Sequence, residues 1–155
     1  MRENLRKVHF KVVPDEDGYP PVNSEAMWCI RIDRKRFRVD NIPYFVKGVS
    51  YGDVISVSEN EDGYLNFVEV VEGGGHSTFR VILDDECADQ PPAEVRIREL
   101  AQTLEGLGCA TAISPPPEIL AIDIPPSVSI TKVQEMLSEG ESRDLWSYEE
   151  GTIAH

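Results

Sequence analysis

The sequence predicts an α+β fold: a small antiparallel β sheet or partly open barrel, followed by a ferredoxin-like β-α-β-β-α-β unit. Three observations predict it. Residues 1–75 show short alternating or β-branched runs separated by turn residues, with no helical period. Residues 76–155 switch to strand-like runs that alternate with two segments of helical period. The run Gly73-Gly74-Gly75 stands at the change, so it is expected to join two units, 1–75 and 76–155.

In the first unit, Lys7 to Val13 puts Val8, Phe10 and Val12 on one face, as a half-buried strand does. Pro14 to Pro21 is a turn-rich loop. Met27 to Ile32 and Phe37 to Val39 form a hairpin that turns at Arg34-Lys35. An even loop sets Ile32 against Phe37, Ile30 against Val39 and Arg31 against Arg38, whereas an odd loop breaks those matches. Gly52-Asp53 leads into the strand Val54 to Ser58, Asp62-Gly63 turns the chain, and Tyr64 to Val71 returns.

In the second unit, Thr78 to Leu83 is β-branched and apolar. Pro91-Pro92 opens a helix with Ala93, Ile97, Leu100, Ala101, Leu104 and Leu107 at helical spacing, ended by Gly106 and Gly108. Cys109 to Ile113 and Ile119 to Ile124 flank a turn at Pro115-Pro116-Pro117. A second helix aligns Ile130, Val133, Met136 and Leu137 and is expected to stop at Gly140, before a last strand over Leu145-Trp146-Ser147-Tyr148.

Across 155 residues, 15 Lys and Arg face 28 Asp and Glu, a formal charge of −13. Phosphate backbones are held by clustered cations, so no DNA or RNA partner is expected. The charge is uneven: residues 1–75 carry 10 cations and 13 carboxylates, net −3, and residues 76–155 carry 5 and 15, net −10. No window approaches the roughly 20 apolar residues of a membrane span, and the first residues lack a secretory apolar stretch, which predicts a cytoplasmic protein with no membrane partner.

The three cysteines include no Cys-x-x-Cys pair. Cys29 and Cys109 sit in apolar runs as small core residues, and Cys87 lies among carboxylates that oppose a thiolate. His9, His76 and His155 are too far apart for a ligand motif, and Asp84, Asp85, Glu86 and Asp89 lack the register of a calcium loop, so no metal or cofactor is expected. Gly73 to Gly75 precede a strand with no Lys after them, which favours a connector over a phosphate loop.

Several ordered runs carry a family resemblance. They are Asn41-Ile42-Pro43-Tyr44-Phe45, Gly48-Val49-Ser50-Tyr51-Gly52-Asp53-Val54, Gly75-His76-Ser77-Thr78-Phe79-Arg80-Val81, Leu107-Gly108-Cys109, Ile122-Asp123-Ile124-Pro125 and Trp146-Ser147-Tyr148-Glu149-Glu150. Together they resemble a bacterial family described only as a domain of unknown function, over about Lys7 to Glu150. The resemblance implies a bacterial, cytosolic, stand-alone protein and transfers no reaction, cofactor or catalytic residue.

Candidate catalytic residues are Ser50, Asp53 and His76, with Ser50 and His76 able to pair only if folding joins them. Arg31, Arg38 and Tyr51 are the candidate ligand-binding set. Arg31 and Arg38 repel each other across an even hairpin, and the carboxylates of the second half are their expected partners. Trp146 and Tyr148 beside Glu149 and Glu150 form a candidate surface for a basic partner protein. The leading expectation is a non-enzymatic protein-binding module, such as an inhibitor or immunity-type protein for a basic partner. The alternative is an enzyme or small-ligand protein with its site between the two units.

Overall fold

A computed structural model describes residues 4–83, 90–115 and 118–155. Cys87, the Asp84 to Asp89 carboxylates, Pro116 and Pro117 lie outside the described residues. The first five strands are β1 (Leu5–Lys11), β2 (Ser24–Arg31), β3 (Arg36–Val39), β4 (Val54–Glu59) and β5 (Leu65–Glu72). Neighbours pair antiparallel from β1 to β5, and a short parallel contact of Val8 with Leu65 closes the barrel. Alternation fills its interior: Val8, Phe10, Met27, Cys29, Phe37, Val39, Ile55 and Val57 all point inward. The Phe10 and Phe67 rings stack at 4.8 Å inside.

The β2–β3 hairpin takes the odd register. Cys29 faces Val39, Ile30 faces Arg38 and Arg31 faces Phe37, so the matches of an even loop are not formed. Asp33 decides this locally: its carboxylate accepts from the backbone N–H groups of Lys35 and Arg36 and from the Arg36 guanidinium, fixing a five-residue turn between Arg31 and Phe37. Met27 and Cys29 therefore share the interior with Phe37 and Val39, while Ile30 and Arg38 face outward.

The second half runs β6 (Ser77–Ile82), α1 (Ala93–Gly106), β7 (Ala110–Ile113), β8 (Ile119–Ile124), α2 (Ile130–Ser142) and β9 (Ser147–Thr152). Its sheet has the order β7-β8-β6-β9 with every pairing antiparallel, which a split β-α-β arrangement produces. One face, with Phe79, Val81, Leu120, Ile122 and Ile124, packs on Ile97, Leu104, Val133 and Leu137 of the helices. The helix expectations hold with two shifts. Leu107 lies beyond α1 and is exposed, and α2 runs past Gly140 to Ser142. Gly140 lies within α2, and the Trp146 indole packs against it where a Cβ would collide. That placement puts Trp146 before β9, so the last strand starts later than expected.

The other face of the sheet is polar and buried, with Thr78, Arg80 and Asp123 in a row. It is covered by the loop between β3 and β4, and this junction positions every site described next. Among the described residues no helix is long and apolar enough to cross a membrane.

Candidate functional site

Folding brings the Gly48 to Asp53 loop to His76, but Ser50 and His76 do not bond each other. Asp53 is buried and both its oxygens hold backbone: Oδ2 accepts from the Ser50 N–H at 2.9 Å and Oδ1 from the Gly74 N–H at 2.8 Å. This carboxylate ties the two loops together. The Ser50 hydroxyl is buried against Thr78 Oγ1 at 2.6 Å. His76 turns its Nδ1 to Asp123 at 2.8 Å and meets the Tyr51 ring edge-on at 5.4 Å. Burial pushes the Asp123 carboxyl above its ordinary range, partly offset by His76 beside it. Ser50 and His76 therefore have separate partners, and the nucleophile–base pair that hydrolysis needs is not formed. Ser77 faces away, bonding the Ala154 N–H and His155 Nδ1.

The other sequence-selected residues also have definite places. Arg31 and Arg38 are not cross-strand partners; the Arg31 guanidinium lies 5.2 Å from the Phe37 ring centre, and neither residue has an ion pair among the described residues. Trp146 donates from Nε1 to the Leu137 carbonyl, and the Tyr148 hydroxyl meets Ser138. Glu149 binds Arg80, and Glu150 accepts from Gln134. Cys29 and Cys109 are buried free thiols, pushed by burial up to about 12 and about 11.

A groove of about 330 Å³ opens where the barrel meets the sheet. Val12, Phe45, Val46 and Phe67 give it apolar walls, and Lys11, Lys47, Asp15 and Glu149 give it a charged rim. Tyr19 also lines it, and the Tyr19 hydroxyl oxygen is buried with no hydrogen-bond partner among the described residues. Burial, with Glu149 nearby, raises the phenol above its ordinary range.

Behind the groove lies an ionic scaffold. Arg80 is wholly buried and donates to the carbonyls of Pro43 and Val46 and, at 2.9 Å, to Glu149. A bulge at Gly151 makes room, since a Cβ there would stand 2.8 Å from Arg80 Nη1. On the other side of the same loop, the Glu25 carboxylate accepts the N–H groups of Tyr44, Phe45 and Val46. The loop is thus held between a carboxylate on its N–H groups and a guanidinium on its carbonyls. Tyr19, Glu25 and Arg80 were not selected from sequence. Arg80 had a signal, a lone cation in the apolar run Thr78 to Leu83, because such a residue must find buried partners. Tyr19 and Glu25 had none, since their roles depend on contacts distant in sequence.

Among the described residues no three metal-binding side chains cluster. The arrangement is an α+β fold in which a closed barrel packs against a helix-backed sheet, with a groove lined mainly by the barrel half and by Glu149 of the sheet. The chain belongs to the family of the domain of unknown function DUF4265, whose model matches residues 25–148. It is similar in fold to a solved hypothetical protein from Neisseria gonorrhoeae, at 18% identity, a TM-score of 0.76, and coverage of 96% of this chain and 95% of that one. No curated protein matches the sequence.

Proposed function

We propose that this protein is a non-enzymatic binding module that holds a small amphipathic anion in the groove between its barrel unit, residues 1–75, and its α/β unit, residues 76–155. One observation carries the reading: Tyr19 lines that groove, and its buried hydroxyl has no hydrogen-bond partner among the described residues. An unpaired buried hydroxyl costs roughly 1–3 kcal/mol, and a ligand atom that completes its hydrogen bond removes the cost. Phe45, Phe67 and Val12 suit an apolar body, and Lys11 and Lys47 suit an anionic head. Glu149 offers no competing cation site, because Arg80 and Lys47 already face it. The non-enzymatic part rests on Ser50 and Asp53, whose side chains bond Thr78 and the Ser50 and Gly74 N–H groups, so that Ser50 presents no nucleophile to His76.

The net charge of −13 supports a second reading, a surface for a basic partner protein such as a toxin held by an immunity-type inhibitor. Trp146, Tyr148, Glu149 and Glu150 lend it little, since their polar groups bind Leu137, Ser138, Arg80 and Gln134.

Titration with 8-anilinonaphthalene-1-sulfonate, followed by amide chemical shifts, tests the first reading. The expected result is saturable binding that moves the signals of Val12, Phe45, Val46 and Lys47. Tyr19→Phe should weaken binding roughly five-fold through the lost hydrogen bond, while the melting temperature holds or rises because the unpaired hydroxyl is gone. Shifts elsewhere, or a Tyr19→Phe protein that melts lower and binds unchanged, would refute it. Recovery of a basic protein from lysate at low salt but not high salt would favour the second reading instead.

A further inference from the structure

We infer that the outward face of β1, β2 and β3 binds single-stranded nucleic acid, with Trp28 as the stacking platform and Lys7, Arg36 and Arg38 on the phosphates. Strand alternation sends Lys7, His9 and Lys11 outward from β1, Trp28 and Ile30 from β2, and Arg36 and Arg38 from β3. The register groups them: Lys7 stands opposite Trp28, and Arg38 opposite Ile30. The one carboxylate in these three strands, Glu25, is turned to the N–H groups of Tyr44 to Val46. The carboxylates at the margins include Asp33, bound to Arg36, Asp40, just past β3, and Glu59 at the end of β4 with Glu61 and Asp62 in the turn before Tyr64.

Composition makes this face unexpected. Carboxylates outnumber cations 28 to 15 in the chain, yet Lys7, Lys11 and Arg38 have no ion pair among the described residues. Lys7 and Arg38, on the strands flanking β2, have no carboxylate partner among the described residues, and a polyanion laid across the strands supplies one. The rest of the surface, strongly acidic, repels the same polyanion, so binding is confined to this face. Screening over about 8 Å at physiological salt keeps that repulsion from cancelling close contacts.

The exposed rings decide which polyanion fits. Trp28 is 42% exposed, with the Lys7 ammonium 5.1 Å from its ring centre. A base that stacks on the indole displaces this flexible ammonium toward the adjoining phosphate. Tyr64, 56% exposed, meets His9 edge-on at 5.4 Å and extends the track from β1 toward β5. Interleaved rings and cations match unstacked bases on a charged backbone, whereas a duplex hides its base faces and an acidic polypeptide needs no rings.

The test is fluorescence anisotropy with a fluorescein-labelled uridine 12-mer, at low and physiological salt, against the full chain. Saturable binding is expected, with a log–log salt slope of about −2 for three phosphate contacts. Trp28→Ala should weaken it about tenfold through the lost stacking, and Trp28→Phe should restore most of the loss. Arg38→Ala should flatten the salt slope by about 0.7. Equal binding of a thymidine 12-mer supports the same surface. Circular dichroism and melting curves of all three variants are expected to match the parent, because both positions are solvent-facing. No saturable binding at low salt would overturn the inference. So would binding indifferent to Trp28→Ala, or displacement by hexaglutamate at equal concentration.

Discussion

The barrel and the four-stranded sheet each bury one apolar face, and they differ in what meets the other. The barrel's outer face on β1 to β3 stands in solvent with exposed Lys7, Trp28, Arg36 and Arg38. The sheet's second face is closed over by the β3–β4 loop, and it buries Thr78, Arg80 and Asp123. The same alternation of side chains thus produces a display surface in one unit and a polar interior in the other. Solvated cations carry little of the stability, whereas a buried cation must be satisfied in full or the junction fails.

Removing Arg80 should break this contrast most severely. Arg80→Leu leaves the Pro43 and Val46 carbonyls without their donor and Glu149 without its buried partner. A loss of about 3–5 kcal/mol is expected, by analogy with breaking other buried pairs, and chemical denaturation measures it. A loss below about 1 kcal/mol would mean that the junction does not depend on this ion. Gly140→Ala probes the helix-covered side of the same sheet. Its new methyl collides with the Trp146 indole, so a loss of about 1–3 kcal/mol and a red shift of tryptophan emission are expected. Unchanged emission would place the indole elsewhere.

The smallest effect belongs to the barrel's exterior. Because Arg31 and Arg38 face no ion-pair partner among the described residues, the double change Arg31→Ala, Arg38→Ala should alter stability by about 1 kcal/mol or less, mostly through the lost Arg31–Phe37 contact. A drop of several degrees in melting temperature would restore the internal pairing that charge alone suggests.

Much of the fold was legible in the sequence because it rests on local periodicity. Val8, Phe10 and Val12 marked β1, and Ala93, Ile97, Leu100, Ala101 and Leu104 marked the buried stripe of α1. The hairpin register was legible only as two alternatives, since the Asp33 carboxylate that selects the odd turn acts through backbone N–H groups. Gly140 misled for a related reason: a glycine that admits a neighbouring ring looks in sequence like one that ends a helix. Of the site, the sequence left open whether the Gly48 to Asp53 loop meets His76; in the fold Tyr51 approaches His76, while Ser50 bonds Thr78. Tyr19, Glu25 and Arg80 define the groove and its scaffold through contacts 19 to 69 residues apart or through an unfilled bond.

Sequence alone determined the α+β class, the elements and the strongly acidic balance, because periodicity and charge are properties of residue types in order. Only the tertiary structure decided where the charge lies. Barrel closure and the odd hairpin register gathered cations on one face of a chain of net −13, while the junction drew Arg80 inside. Net charge is a sum over the chain, but a partner meets a surface, and which residues share that surface is set by strand pairing between distant segments.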